Sequence, residues 1–114
     1  MSEVIGIVDI VAADGRADEV VAAFEECIRQ THQEEGCLTY ALHRDAANPN
    51  HFVHVERWRS QADLDEHMTK PYVAALFAVA GTPGMLAQPP QLTFAGSLAL
   101  GDPAKGSLSP HPAL

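Results

Sequence analysis

The spacing of apolar residues changes along this chain, and each change marks an element. EVIGIVDIVAA (3–13) is a nearly unbroken β-branched run, which predicts a strand buried or nearly so on both faces. DGR (14–16) is a turn. Val20, Phe24, Cys27, Ile28 and Thr31 then recur at i, i+4, i+7, i+8 and i+11, an amphipathic helix with Gly36 as its C-terminal stop. CLTYALHRD (37–45) reads as a strand, AANPN (46–50) as a turn and HFVHVERWR (51–59) as the returning strand. SQAD (60–63) has the form of a capping box, with Ser60 as N-cap and Asp63 in place of the usual Glu. The next helix carries Leu64, His67 and Met68 on one side. Pro71 ends or kinks it and can open a further helix, whose stripe is Val73, Leu76, Phe77 and Ala80. GTPGMLAQPP is a loop, and QLTFAGSLAL (91–100) a final strand.

The order β-α-β-β-α(α)-β is the split βαβ, or ferredoxin-like, plan. It predicts an α+β sandwich, an antiparallel sheet with helices on one face, over residues 1–100. Residues 101–114 are a Pro/Gly/Ser-rich tail not assigned any structure. On the third strand Phe52, His54, Glu56 and Trp58 share one face, and His51, Val53, Val55, Arg57 and Arg59 share the other. Helices cover only one side of such a sheet, yet strand 1 is apolar on both and Val53 and Val55 lie away from Trp58. A second apolar face wants a partner, so a homodimer through the sheet face is expected, closing a dimeric α+β barrel.

Composition narrows the partners. The 114 residues give one domain, 46% apolar, with a formal charge of −8 and no basic block. That argues against nucleic acid and anionic membrane surfaces, both of which need clustered Lys and Arg. No apolar run approaches the roughly 18 residues of a membrane span, and MSEVIGIVDI lacks the basic start of a signal peptide. Cys27 and Cys37 make no disulfide framework, and reduced thiols in a cytoplasmic protein are expected.

The candidate chemistry gathers on strands 2 and 3. A turn symmetric about Asn48 sets Leu38 opposite Trp58, Tyr40 opposite Glu56 and Leu42 opposite His54. Leu38, Tyr40, Leu42, Phe52, His54, Glu56 and Trp58 then form one mostly apolar surface holding a phenol, a carboxylate and an imidazole, as a small-molecule pocket does. Bland readings stand beside this: Trp58 as core, Tyr40 with Glu56 as a cross-strand hydrogen bond, His54 and His67 as packed histidines, Arg57 and Arg59 as solvated or rim charges. His51 and His54 cannot chelate one ion, because a spacing of three puts them on opposite faces of a strand. CxxC, HExxH, an acidic loop, a Gly-rich phosphate loop and a nucleophile setting are all missing from the sequence. No metal and no cofactor are expected.

EEGCLTYALHRDAANPNHFVHVERWRSQADLDEHMTKP (34–71) resembles the core signature of the antibiotic biosynthesis monooxygenase domain family, in particular its small stand-alone quinol monooxygenase members. Gly36, Leu38, Tyr40, Arg44-Asp45, Pro49, Phe52, Glu56, Trp58, Leu64 and His67 carry the resemblance, which extends over about residues 3–98. It implies a ferredoxin-like dimer with a pocket between helices and sheet, and oxidation of an electron-rich aromatic (a quinol or anthrone) by molecular oxygen without cofactor. In that setting His67 is the base or proton shuttle, Tyr40 a donor to substrate oxygen and Glu56 its orienting partner. Trp58 and Phe52 would hold the ring plane, with His54, Leu38, Leu64 and Met68 also lining the pocket. Two departures count. Strand 1 lacks the Asn of heme-degrading relatives, so heme degradation is disfavoured, and His54 stands where many relatives carry an apolar residue. An isomerase of this fold, or a small-ligand-binding protein without catalysis, stays open.

Overall fold

The computed structural model describes residues 3–108. Its elements are β1 (Val4–Val11), α1 (Ala17–Thr31), β2 (Cys37–Arg44), β3 (His51–Trp58), α2 (Gln61–His67), α3 (Pro71–Ala80) and β4 (Gln91–Ala95). The sheet runs β2-β3-β1-β4 with every neighbouring pair antiparallel. The expected α+β, ferredoxin-like plan is therefore the one observed. No helix among the described residues is long and apolar enough to cross a membrane.

The helix-facing side of the sheet holds the core. β3 alternates as its sequence requires, with Phe52, His54, Glu56 and Trp58 buried and His51, Val53, Val55 and Arg57 half-buried on the outer side. Val20, Phe24, Cys27 and Thr31 of α1 are buried against it. One cluster joins Val8, Ile10, Val20, Phe24 and Phe52; a second joins Cys27, Tyr40, Trp58, Leu64 and Val73. Burying each large side chain contributes roughly 1.5–3 kcal/mol, so these two clusters dominate the driving force. On the outer side Ile7 and Val11 of β1 stay half-buried, so the expectation of two buried faces holds only in part for the single chain.

The local signals act where the sequence placed them. Ser60 caps α2: its Oγ accepts from Asp63 N–H at 3.2 Å and donates to Asp63 Oδ2 at 2.7 Å. Pro71 opens α3, where its missing N–H costs nothing. Gly36 is a correction, because α1 stops at Thr31 and His32 closes it. What Gly36 supplies is room: a Cβ there would lie 2.3–2.5 Å from the Asp63 side chain. β4 is also shorter than the expected 91–100. Its last pair is Ala95 with Ile5, and β1 begins one residue before Ile5, so only Val4 of β1 lies beyond that pair. Residues 96–108 carry no helix or strand, and 109–114 lie outside the described residues.

Candidate functional site

Between the sheet and the helices lies a cavity of about 60 Å³. Val8 and Ile10 of β1, Val20 and Phe24 of α1, and Val73 and Leu76 of α3 wall it. Met68, Phe77, Leu92 and Phe94 also line it and are 40–45% exposed, which marks where it opens to solvent. Its polar residues are Tyr40, His54, Glu56 and His67, all at most 5% exposed.

His67 comes from the last turn of α2. Its Nδ1 lies 2.7 Å from Glu34 Oε2, and Tyr72 Oη donates to the same oxygen at 2.7 Å. A carboxylate facing Nδ1 holds the proton there and leaves Nε2 as the acceptor. The ring is clamped by Trp58, centroids 4.4 Å apart, and meets Tyr40 edge-on at 5.2 Å. Burial and the Glu34 carboxylate hold the Tyr72 phenol well above its ordinary range, so it serves as a neutral donor.

His54 repeats the arrangement from the sheet. Its Nδ1 is 3.3 Å from Glu56 Oε2, while Trp58 Nε1 donates to Glu56 Oε1 at 2.8 Å, so both carboxyl oxygens have a neighbour. His54 Nε2 is buried with no hydrogen-bond partner. An orphaned buried nitrogen is costly, by about 1–3 kcal/mol, unless something else satisfies it. Gly6 makes the placement of Glu56 feasible. It pairs across the sheet with Glu56 and with Phe94, and a Cβ on it would stand 2.5 Å from Glu56 Cγ and 2.9 Å from Phe94.

Tyr40 faces Glu56 across the strands, as the sequence register has it, but their side chains do not pair. The Tyr40 hydroxyl is 3.6 Å from Cys27 Sγ, which in turn lies 3.7 Å from Thr31 Oγ1. Burial, followed by the Cys27 thiol, holds the Tyr40 phenol far above its usual range. Burial likewise raises Cys27, and pushes Cys37 up to about 11. This trio is neutral hydrogen-bonded packing at the cavity edge.

The sequence reading named some lining residues that the structure places elsewhere. A bulge between Cys37 and Thr39 sets Cys37 opposite Trp58 and turns Leu38 out to 43% exposure. Trp58, fully buried, and Leu64 pack behind His67, and Phe52 sits in the core beneath the Arg44 guanidinium at 5.0 Å; none of the three lines the cavity. Met68 does line it. Aromatic walls come instead from Phe24, Phe77 and Phe94. Glu34 and Tyr72 were missed. Glu34 did leave one signal, as an acid just beyond a helix C-terminus, where the macrodipole disfavours negative charge. Asp9 faces His51 Nε2 at 2.8 Å on the outer side of the sheet, and Asp45 takes His51 Nδ1 at 2.8 Å. The described residues bring no three His, Cys, Asp or Glu side chains into a metal-holding group.

The profile of the antibiotic biosynthesis monooxygenase family matches residues 4–79. The chain belongs to this family. A protein of Mycobacterium tuberculosis shares 27% identity and a TM-score of 0.78 over 89% of this chain and 100% of its own. One from Pseudomonas aeruginosa shares 26% identity and a TM-score of 0.76 over 87% and 97%. A crystal structure of an antibiotic biosynthesis monooxygenase matches at 26% identity and a TM-score of 0.73, over 81% and 95%. An uncharacterised protein of Synechocystis is 31% identical over 77 residues, 68% of this chain; the chain spans about half of that relative, 51%. The family match takes in Tyr40, His54, Glu56, His67 and Glu34, and stops before the two β4 residues at the cavity opening, Leu92 and Phe94.

Proposed function

We propose that this member of the antibiotic biosynthesis monooxygenase family is a cofactor-independent monooxygenase oxidising a small electron-rich aromatic of quinol or anthrone type with molecular oxygen. One observation carries the reading. Among the cavity's polar residues, Tyr40, His54, Glu56 and His67, the two imidazoles each have Nδ1 set against a carboxylate, and no described residue hydrogen-bonds either Nε2.

A hydroquinone fits that pair, since it brings two hydroxyls to two acceptor nitrogens. His67 Nε2 takes one hydroxyl proton as general base, and His54 Nε2 accepts a hydrogen bond from the other. Glu56 orients His54, and Tyr40 fills the space between the rings, 4.2 Å from His54 and 5.2 Å from His67. The quinol anion passes an electron to oxygen. One oxygen atom enters the ring and the other leaves as water, so quinol and O₂ give hydroxyquinone and H₂O. The apolar walls keep bulk water from the radical pair. About 60 Å³ is room for roughly four to six waters at 10–15 Å³ each. The lining residues include no Lys or Arg, which weighs against phosphorylated substrates; Arg57 is engaged on the outer face by Glu3 and Thr39.

We also infer that the protein works as a homodimer through its outer sheet face, where Ile5, Ile7, Val53 and Val55 adjoin in the register. Gel filtration at micromolar concentration is expected to give a dimer, and a monomer would remove this part. The activity is tested by oxygen uptake of purified, metal-free protein with a panel of hydroquinones and anthrones. Uptake above autoxidation supports the reading; none across the panel leaves a ligand binder or an isomerase.

A further inference from the structure

His67 has a second side. Its Nδ1 leads through Glu34 to a polar cleft of about 510 Å³ lined by Gln30, Glu34, Arg59, Glu66, Lys70 and Tyr72, distinct from the apolar cavity. Both donors, His67 Nδ1 and Tyr72 Oη, use Glu34 Oε2. Glu34 Oε1 takes no hydrogen bond from the described residues, and the side chain is 12% exposed. The cations of the cleft are engaged elsewhere: Arg59 by Asp63 and Glu35, and Lys70 by Glu66. Glu34 thus meets an imidazole on one side and a wet cleft on the other.

That placement answers a problem the cavity creates. A proton taken from a substrate in a dry, apolar space recombines with the anion it left unless it is carried away. We propose that Glu34, with Tyr72, is the proton outlet of His67, passing the Nδ1 proton to water in the polar cleft as Nε2 takes the substrate proton. The inference rests on the reading of His67 as the base. The substrate O–H breaks as His67 Nε2–H forms; His67 Nδ1–H breaks as a Glu34 O–H forms; Glu34 then releases its proton to water. When the departing oxygen leaves as water it takes the Nε2 proton, and Nδ1 is reprotonated from the cleft, so each cycle balances. Tyr72 fixes the shared oxygen and so the direction of transfer. Glu34 touches neither substrate nor oxygen and is a positioning residue acting through His67.

The test has one arm that needs no substrate. In the free full-length chain labelled with ring-¹⁵N histidine, His67 is expected to be the Nδ1–H tautomer. Glu34→Ala is expected to lose that preference, and added formate to restore it. A wild type with the proton on Nε2 overturns the proposal whatever the activity. In the second arm, with a hydroquinone that supports oxygen uptake, Glu34→Gln keeps size and hydrogen bond but cannot accept a proton. Its kcat is expected to fall at least about tenfold with KM within about twofold, and formate to rescue Glu34→Ala but not Glu34→Gln. A Gln variant with kcat near wild type overturns the outlet. If no hydroquinone supports uptake, the monooxygenase reading fails and the outlet falls with it, while the tautomer arm separately decides whether Glu34 holds the His67 proton on Nδ1.

Discussion

His51 and His67 both stand against carboxylates, yet the two rings are placed differently. His51, on the outer face of the sheet, gives both ring nitrogens away, Nδ1 to Asp45 and Nε2 to Asp9, each at 2.8 Å. His67, on the inner face, gives only Nδ1 to Glu34 and keeps Nε2. His54 follows the inner pattern, with Glu56 on Nδ1 and nothing on Nε2. A carboxylate on a histidine is thus no sign of chemistry by itself. The spare nitrogen, and the apolar cavity it shares, separate a site from a surface ion pair.

The sharpest way to break this comparison is to remove each imidazole in turn. His67→Ala is expected to lower oxygen uptake with a competent hydroquinone by about 10²-fold or more, the typical worth of a general base. His51→Ala is expected to leave it within about twofold; equal losses would erase the distinction. Next in size is Gly6→Ala, which drives a Cβ into Glu56 and Phe94. Urea unfolding is expected to show a loss of about 1–3 kcal/mol. Gly96→Ala, where a Cβ meets open space, is expected to stay within about 0.5 kcal/mol.

Smaller still is His54→Ala, expected to weaken 4-ethylphenol binding by about three- to tenfold, one net hydrogen bond, in a calorimetric titration. Unchanged affinity would take His54 out of the ligand's reach. The smallest effect is the pH response of His51. The Asp45 hydrogen bond, and then Asp9, raise its folded pKa above the ordinary value. Its contribution to stability is therefore fully present below about pH 6.5, the unfolded value, and is lost as pH rises through the raised folded value. The melting-temperature gap between wild type and His51→Gln is expected to narrow as pH rises across that window. A gap that widens would reverse the sign.

Much of this was legible because period and punctuation are local. Ser60, Pro71 and the alternation of β3 each specify their own element, and the split βαβ order follows from the elements. Residues were lost where the answer depended on distant geometry. The bulge that turned Leu38 outward follows from how β2 meets β3, which the alternation along β2 alone does not report. Trp58 and Phe52 were read as lining because they share the face of His54; the cavity lies between that face and α3, and these two pack at its ends. Glu34 reaches His67 across 33 residues of sequence, a separation no periodicity reports. The candidate site was thus half visible: both imidazoles and Glu56 could be named, whereas the partner of His67 and most of the aromatic wall could not.

The most direct test of the central claim is a ring-¹⁵N histidine titration of wild type with 4-ethylphenol, a phenol used for binding alone. The account predicts that the phenol shifts Nε2 of His67 and of His54 and leaves both His51 nitrogens where they were. Saturable binding that moves His51, or that moves neither inner imidazole, would contradict it.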